Sequence, residues 1–189
     1  MVKILMIAGD FTEDYELMVP YQALQVVGLE VDVVCPDKNK GDIVKTAIHD
    51  FEGYQTYTEK VGHNFILNAS FQNIKLHEYD GLFITGGRSP EYLRMDSRII
   101  DIVHYFMDLE KPIASICHGV QILTAADVIR GLDVTGYYSL EPEVKSAGGN
   151  FIKKEAHEAV ICRNLVTSPA WPGNIEILKG FLKLLKRQN

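Results

Sequence analysis

The stretch Pro112-Ile113-Ala114-Ser115-Ile116-Cys117-His118-Gly119-Val120-Gln121 decides the fold. It opens as a buried strand, started by proline and continued by apolar and β-branched residues. From Val120 onward, Val120, Ile122, Leu123 and Ala126 recur at helical spacing. Between the two lies a cysteine with small residues two before and two after it, Ser115-x-Cys117-x-Gly119. A strand that turns sharply into a helix needs small neighbours so that one side chain stands clear, which is the logic of a nucleophile elbow. The thiol would then sit at a helix N-terminus, where the dipole and free N–H groups favour thiolate. A cysteine at the end of a buried strand is also an ordinary small core residue. The histidine and glycine that follow it weigh toward the elbow.

Working outward, the same alternation of buried strand and amphipathic helix recurs. Ile4-Leu5-Met6-Ile7-Ala8-Gly9 is a continuous apolar run, the mark of a strand covered on both faces. Residues 10–14 are turn-like, and Leu17, Val19, Tyr21, Leu24 and Val27 fit a helix from Tyr15 that stops at Gly28, with Pro20 in an irregular first turn. Val31-Asp32-Val33-Val34-Cys35 is the next strand, so strand, helix and strand form a βαβ unit and predict a parallel sheet. Gly81-Leu82-Phe83-Ile84-Thr85 is a third buried strand. Asp96 or Ser97 caps a helix carrying Ile99, Ile100, Val103, Phe106 and Met107. Beyond the elbow, residues 133–135, 151–152, 159–161 and 165–167 read as short β segments and residues 141–147 as a helix. A last helix from about Asn174 buries Ile175, Ile177, Leu178, Phe181, Leu182 and Leu185. Residues 37–68 break the pattern as an irregular β excursion, with Tyr54, Tyr57, Phe65, Ile66 and Leu67 as β positions. The prediction is one three-layer α/β domain over residues 1–189, with a mostly parallel sheet. Active sites in such open sheets lie beyond the carboxyl ends of the strands. That gathers residues 10–16, residues 86–91 and Cys117-His118 in one place.

Composition narrows the function. A 189-residue chain with 47% hydrophobic and 23% charged residues is long enough for a substantial core and shows no sign of disorder. The net charge of −6 argues against a nucleic-acid surface, and the basic residues Lys179, Lys183, Lys186 and Arg187 complement the C-terminus of the closing helix. Three cysteines, Cys35, Cys117 and Cys162, fit a reducing compartment. No apolar run approaches the roughly 20 residues needed to cross a bilayer, and the start is too short and uninterrupted for a signal peptide. A cytoplasmic protein without membrane or nucleic-acid partners is expected.

Several residues can do chemistry at the gathered edge. Glu13 and Asp14 suit a solvated acidic helix start. Glu16, beside apolar Leu17, can point inward under the elbow, where burial would keep it partly protonated and able to exchange a proton with the thiol. Gly86-Gly87 is either a plain tight turn or, with the amide of His118, an oxyanion hole. No dinucleotide or phosphate-binding glycine pattern occurs, so no cofactor is expected. His118 is the obvious base or cation beside Cys117, although neighbours at an elbow often diverge. His49 and His63 lie in the excursion and can line a pocket rim. His77, His104 and His157 share no metal-ligand spacing, and no metal is expected.

These residues carry a resemblance. Ala114-Ser115-Ile116-Cys117-His118-Gly119, Gly86-Gly87-Arg88-Ser89-Pro90-Glu91 and Glu13-Asp14-Tyr15-Glu16 together resemble the ThiJ/PfpI superfamily, over nearly the whole chain. Ala47-Ile48-His49-Asp50-Phe51-Glu52-Gly53, Gly62-His63-Asn64-Phe65 and Ala170-Trp171-Pro172-Gly173 are most similar to its plant-type glutathione-independent glyoxalase branch. The resemblance implies a flavodoxin-like sandwich, related to the class I glutamine amidotransferases. Those enzymes share the elbow, but their C-terminal His-x-Glu pair is replaced here by Asn174-Ile175-Glu176, so their activity is not expected. It implies Cys117 as nucleophile, Glu16 as proton carrier and His118 as catalytic histidine. Glu91 of a neighbouring subunit would orient that histidine, so a homo-oligomer is implied. Gly86, Gly87 and His118 would bind substrate, and Glu13, His49, Arg88 and Trp171 would form the rim. The implied substrate is a small 2-oxoaldehyde such as methylglyoxal. Cysteine peptidase activity of PfpI type, and a redox-sensing chaperone role, are the alternatives. Two positions depart from the pattern: Ser89 stands where alanine is usual, and Asn174 where the glyoxalase branch has histidine.

Overall fold

The computed structural model describes residues 2–188. In chain order the elements are β1 (Lys3–Ile7), β2 (Thr12–Glu13), α1 (Asp14–Val26), β3 (Glu30–Val34), β4 (Ile43–Asp50) and β5 (Thr58–Ile66). There follow β6 (Gly81–Ile84), α2 (Pro90–Leu93), α3 (Ser97–Asp108), β7 (Ile113–Ile116), α4 (Val120–Ala125) and β8 (Asp133–Val134). The chain closes with α5 (Glu141–Ser146), β9 (Asn150–Phe151), β10 (Val160–Cys162), β11 (Leu165–Ser168) and α6 (Asn174–Gln188).

The main sheet runs β10-β11-β7-β6-β1-β3. Every pairing in it is parallel except β10 with β11, an antiparallel edge. Numbered by their own sequence order, the five parallel strands read 2-1-3-4-5, the flavodoxin-like arrangement. The apolar strands are covered on both faces because successive side chains point to opposite sides. Leu5 and Ile7 of β1 join Leu82, Ile84 and Ile113 against Ile99, Val103 and Phe106 of α3. Ile4 and Met6 join Phe83, Ala114 and Val166 against Leu17 and Leu24 of α1 and Ile177 and Phe181 of α6. A three-layer sandwich results.

Helix boundaries follow the sequence expectations more closely than helix faces do. The Asp96 carboxylate accepts from the Arg98 amide and caps α3. In α1, however, the buried set is Asp14, Glu16, Leu17, Pro20 and Leu24, whereas Val19 and Val27 face outward. In α6, Ile175 is 66% exposed.

The excursion is more regular than its sequence suggests. β4 and β5 form an antiparallel hairpin, irregular between Lys45 and Ala47, and β2 joins β4 in parallel to make a separate three-stranded sheet. Tyr54 and Tyr57 lie in the connecting loop rather than in a strand. Since β2 follows β1 directly, this pairing folds the hairpin over the carboxyl ends of the main sheet.

Among the described residues, no helix is long and apolar enough to cross a membrane.

Candidate active site

The elbow is present and its backbone is bent. Cys117 follows β7 with φ of +57°, in the left-handed region that non-glycine residues occupy only when their surroundings dictate it. A single helical turn, Cys117–Gly119, then leads into α4. Gly119 is required for the turn, because a Cβ there would lie 2.8 Å from Ser115 Oγ and 3.1 Å from the Ile84 carbonyl oxygen. The Cys117 sulfur lies 3.3 Å from Nδ1 of His118, so at this elbow the adjacent side chains converge.

The loops after β1 and β6 close around the sulfur. A Cβ on Gly86 would lie 2.2 Å from Glu16 Oε2 and 2.6 Å from Cys117 Cβ; one on Gly87 would lie 2.2 Å from the Glu13 amide nitrogen. Gly87 also has φ of +68°, so the paired glycines are there for close approach and backbone shape together. The amides of Gly87 and His118 both act on the thiol, and the Gly86 amide acts on Glu16. An oxyanion formed next to the sulfur would therefore face the Gly87 and His118 N–H groups, with Gly86 turned to the carboxyl.

Protonation differs from the expected thiolate. Burial and the neighbouring Glu16 charge push the Cys117 thiol well above its ordinary value, and the Gly87 and His118 amides only partly oppose them. The helix behind the thiol is a single turn followed by six residues, too short for a strong dipole. Glu16 is fully buried, and neither of its oxygens has a partner at full hydrogen-bond geometry. Burial, then the Glu13 charge, raise its pKa well above the usual carboxylate range, while the Cys117 thiol and the Gly86 and Trp171 amides pull it back. Acid and thiol cannot both ionise in this space, so the pair retains a proton.

The two histidines of the cavity are opposites. Burial, aided by the charge of His49, lowers the His118 pKa to about 4, which leaves the ring neutral at neutral pH. His49 is held between carboxylates. Its Nδ1 lies 2.8 Å from Glu13 Oε2 and its Nε2 lies 3.0 Å from Glu59 Oε2. Burial alone would lower its pKa, but the bonds to Glu13 and Glu59 outweigh burial and raise it. Arg88 grips Glu59 through Nε at 3.0 Å and Nη2 at 2.9 Å and stacks over Phe11.

These groups line a narrow cavity of about 40 Å³, walled by Phe51, Tyr57, Tyr137 and Trp171, with Glu13, Glu16, His49, Cys117 and His118 at its polar end. Tyr137 stacks on His118 with centroids 4.8 Å apart, and Tyr57 meets His49, His118 and Tyr137 edge-on. Arg88 does not reach the lining; it grips Glu59, which in turn bonds His49. Glu13 and Asp14 are buried rather than solvated. His63 stands largely outside the cavity, and its amide and ring bond to Asp14. Ser89 lies buried below the rim and its hydroxyl donates to the Gly86 carbonyl. Asn174 is also buried outside the lining, donating from Nδ2 to the Tyr15 carbonyl at 3.1 Å and so tying α6 to α1. Glu91 is exposed on α2; its amide donates to the Arg88 carbonyl, and its carboxylate makes no side-chain hydrogen bond among the described residues. Among those residues no cluster of His, Cys, Asp or Glu is arranged to hold a metal.

Two participants were not singled out from sequence. Glu59 is opposite His49 in the hairpin register, information that only the seven-residue loop between the strands could have supplied. Tyr137 stands between β8 and α5 with no periodic signal to mark it.

With this geometry in place, the relatives are informative. The DJ-1/PfpI family model matches residues 2–184, and the chain belongs to that family. It is 47% identical over 184 residues to Protein DJ-1 homolog D of Arabidopsis thaliana, covering 97% of this chain but 47% of that protein. The chain thus spans about half the length of that plant relative. It is 31% identical to Deglycase PfpI of Pyrococcus furiosus, over 98% of this chain and 100% of that one. The crystal structure of Drosophila melanogaster DJ-1beta superposes with a TM-score of 0.78 at 20% identity, covering 98% of this chain and 89% of that one, which speaks to the fold.

Proposed function

We propose that this member of the DJ-1/PfpI family converts small 2-oxoaldehydes, such as methylglyoxal, to 2-hydroxy acids without glutathione or metal. The observation that carries this reading is the thiol 3.3 Å from a neutral histidine, in a cavity of about 40 Å³ that also holds a buried carboxyl without a full hydrogen bond.

Substrate drives the chemistry that the resting pair holds back. Attack of Cys117 sulfur on the aldehyde carbon forms a C–S bond, while the thiol proton passes to Glu16 or His118. The resulting hemithioacetal oxygen is received by the Gly87 and His118 amides, donors worth about 3 kcal/mol each when preorganised. Neutral His118 or ionised Glu16 removes the proton from that carbon and an enediol forms. Return of a proton to the second carbon gives a thioester, and water cleaves it to release the hydroxy acid and restore the thiol. The shared proton of the Cys117–Glu16 pair suits this cycle, because the same group must give and take it. A homo-oligomer in which the exposed Glu91 carboxylate of one subunit meets His118 of another is part of the proposal.

Lactate formation from methylglyoxal, measured without glutathione on wild type beside Cys117→Ala, tests the reading. Lactate is expected from wild type alone; no lactate, or equal lactate from both, overturns it. Peptide cleavage is the weaker reading, because Phe51, Tyr57 and Tyr137 crowd the thiol. A redox sensor would call for an acidic thiol, and burial pushes Cys117 the other way.

A further inference from the structure

A second, wider hollow of about 450 Å³ lies beside the cavity. Phe51, Tyr137 and Ala170 belong to the walls of both, so these residues form the partition between them. The two rings of that partition are held differently. Tyr137 is 7% exposed and fixed between His118, at 4.8 Å and nearly parallel, and Tyr57, at 5.4 Å and edge-on. Phe51 is 56% exposed, on the loop that joins the hairpin strands, and none of the aromatic pairs among the described residues includes it. One ring is therefore held between neighbouring rings, and the other stands at the solvent edge of the partition. Beyond them the hollow is lined by Thr135, Gly136, Phe151 and Pro169 together with Lys153, Lys154 and Glu155. An apolar substituent attached to a small aldehyde head would find van der Waals contact there, while the head stayed against the thiol.

We propose that Tyr137 and Phe51 are the specificity-determining residues of this site. They limit wild type to short 2-oxoaldehydes, and removing either ring joins the cavity to the hollow and admits aryl or long-chain 2-oxoaldehydes. The reaction class is unchanged: R-CO-CHO and water give R-CH(OH)-COOH, with only R differing. The substrate chemistry rests on the function proposed above, but the partition itself is a statement about access to Cys117 and is testable without turnover.

The experiment has two arms. In the first, Cys117 alkylation is timed by peptide mass spectrometry with a small reagent, iodoacetamide, and a bulky one, N-phenylmaleimide, so that Cys35 and Cys162 are counted separately. Phe51→Ala and Tyr137→Ala should each raise the bulky-to-small rate ratio by roughly tenfold, the scale set when a pocket gains room for a hydrophobic group. Tyr137→Phe keeps the ring and should leave the ratio unchanged. Because Phe51 is exposed, its variant keeps the test valid should Tyr137→Ala fold poorly. In the second arm, mandelate from phenylglyoxal is compared with lactate from methylglyoxal, and the ratio of kcat/KM values should shift in the same direction. An alkylation ratio that stays the same in both alanine variants overturns the partition, even if wild type makes lactate. A shifted alkylation ratio in a protein that turns over neither aldehyde upholds the partition and overturns the proposed function instead.

Discussion

The floor of the cavity and its roof are built on opposite electrostatic plans. The floor comes from the loops that follow β1, β6 and β7, and it holds ionisable groups whose needs are unmet: Glu16 buried without a full hydrogen bond, Cys117 raised by burial on a left-handed backbone, His118 kept neutral. The roof comes from the β4–β5 hairpin, where His49 is answered on both ring nitrogens and Glu59 is gripped by Arg88. Groups that are satisfied hold shape, and groups that are not are poised to react. A buried polar group without a partner costs stability. The floor should therefore be where substitution trades stability for activity, and the roof where substitution costs stability first.

Glu16→Gln is the sharpest test of that contrast. Activity should fall by about 100-fold or more, because the proton carrier is gone. Stability should move the other way. The folded-state pKa of Glu16 is raised, so the folded protein binds the proton more tightly than the unfolded chain, and its stability declines as pH rises above the ordinary carboxyl range. The melting temperature of the variant relative to wild type should thus improve between about pH 5 and about pH 8. A variant destabilised equally at both would break the comparison.

Gly87→Ala strikes the seam between floor and roof. The left-handed backbone alone costs about 1–3 kcal/mol for a residue with a Cβ. The new carbon also meets the backbone of Thr12 and Glu13, so β2 and the hairpin it carries must shift. Denaturant unfolding should show the loss, and the kcat of the folded fraction should fall as the Gly87 amide leaves the thiol.

His49→Gln removes the imidazole that bridges two carboxylates. Glu13 is almost fully buried, so a loss of about 1–3 kcal/mol is expected, read by urea midpoint. The His118 pKa should rise at the same time, since His49 charge is one of the two causes that depress it. Imidazole titration by NMR would register that shift, which a merely structural role would not produce. Arg88→Ala is the mildest. Its ion pair with Glu59 joins side chains 44% and 32% exposed, so less than about 1 kcal/mol is at stake. A larger effect would mean the roof is held from its rim rather than by His49.

Much of the floor could be read in the chain. Ser115-x-Cys117-x-Gly119 marks the elbow, and continuous apolar runs mark strands buried on both faces, so the sheet and the edge where its loops meet follow from residue types and spacing. The roof resisted the same reading. β5 carries exposed, mixed residues without clean alternation, and its register against β4 is set by a loop of seven residues and by the irregularity at Thr46. Glu59 could not be matched to His49 until β5 paired with β4, nor Glu13 to His49 until β2 did. Val19, Val27 and Ile175 are apolar residues at helical spacing that turned out exposed.

The sequence by itself determined which groups exist and on which edge of the sheet they gather, because strand burial and tight turns are local consequences of side-chain size and spacing. Only the tertiary structure decided what charge they carry. His49 and His118 are the same residue type in one cavity, yet one is raised by two carboxylates and the other lowered by burial. A pKa is set by the solvent and partners a group meets in space. For His49 one partner arrives from Glu13, 36 residues away, through a strand pairing that no local pattern encodes.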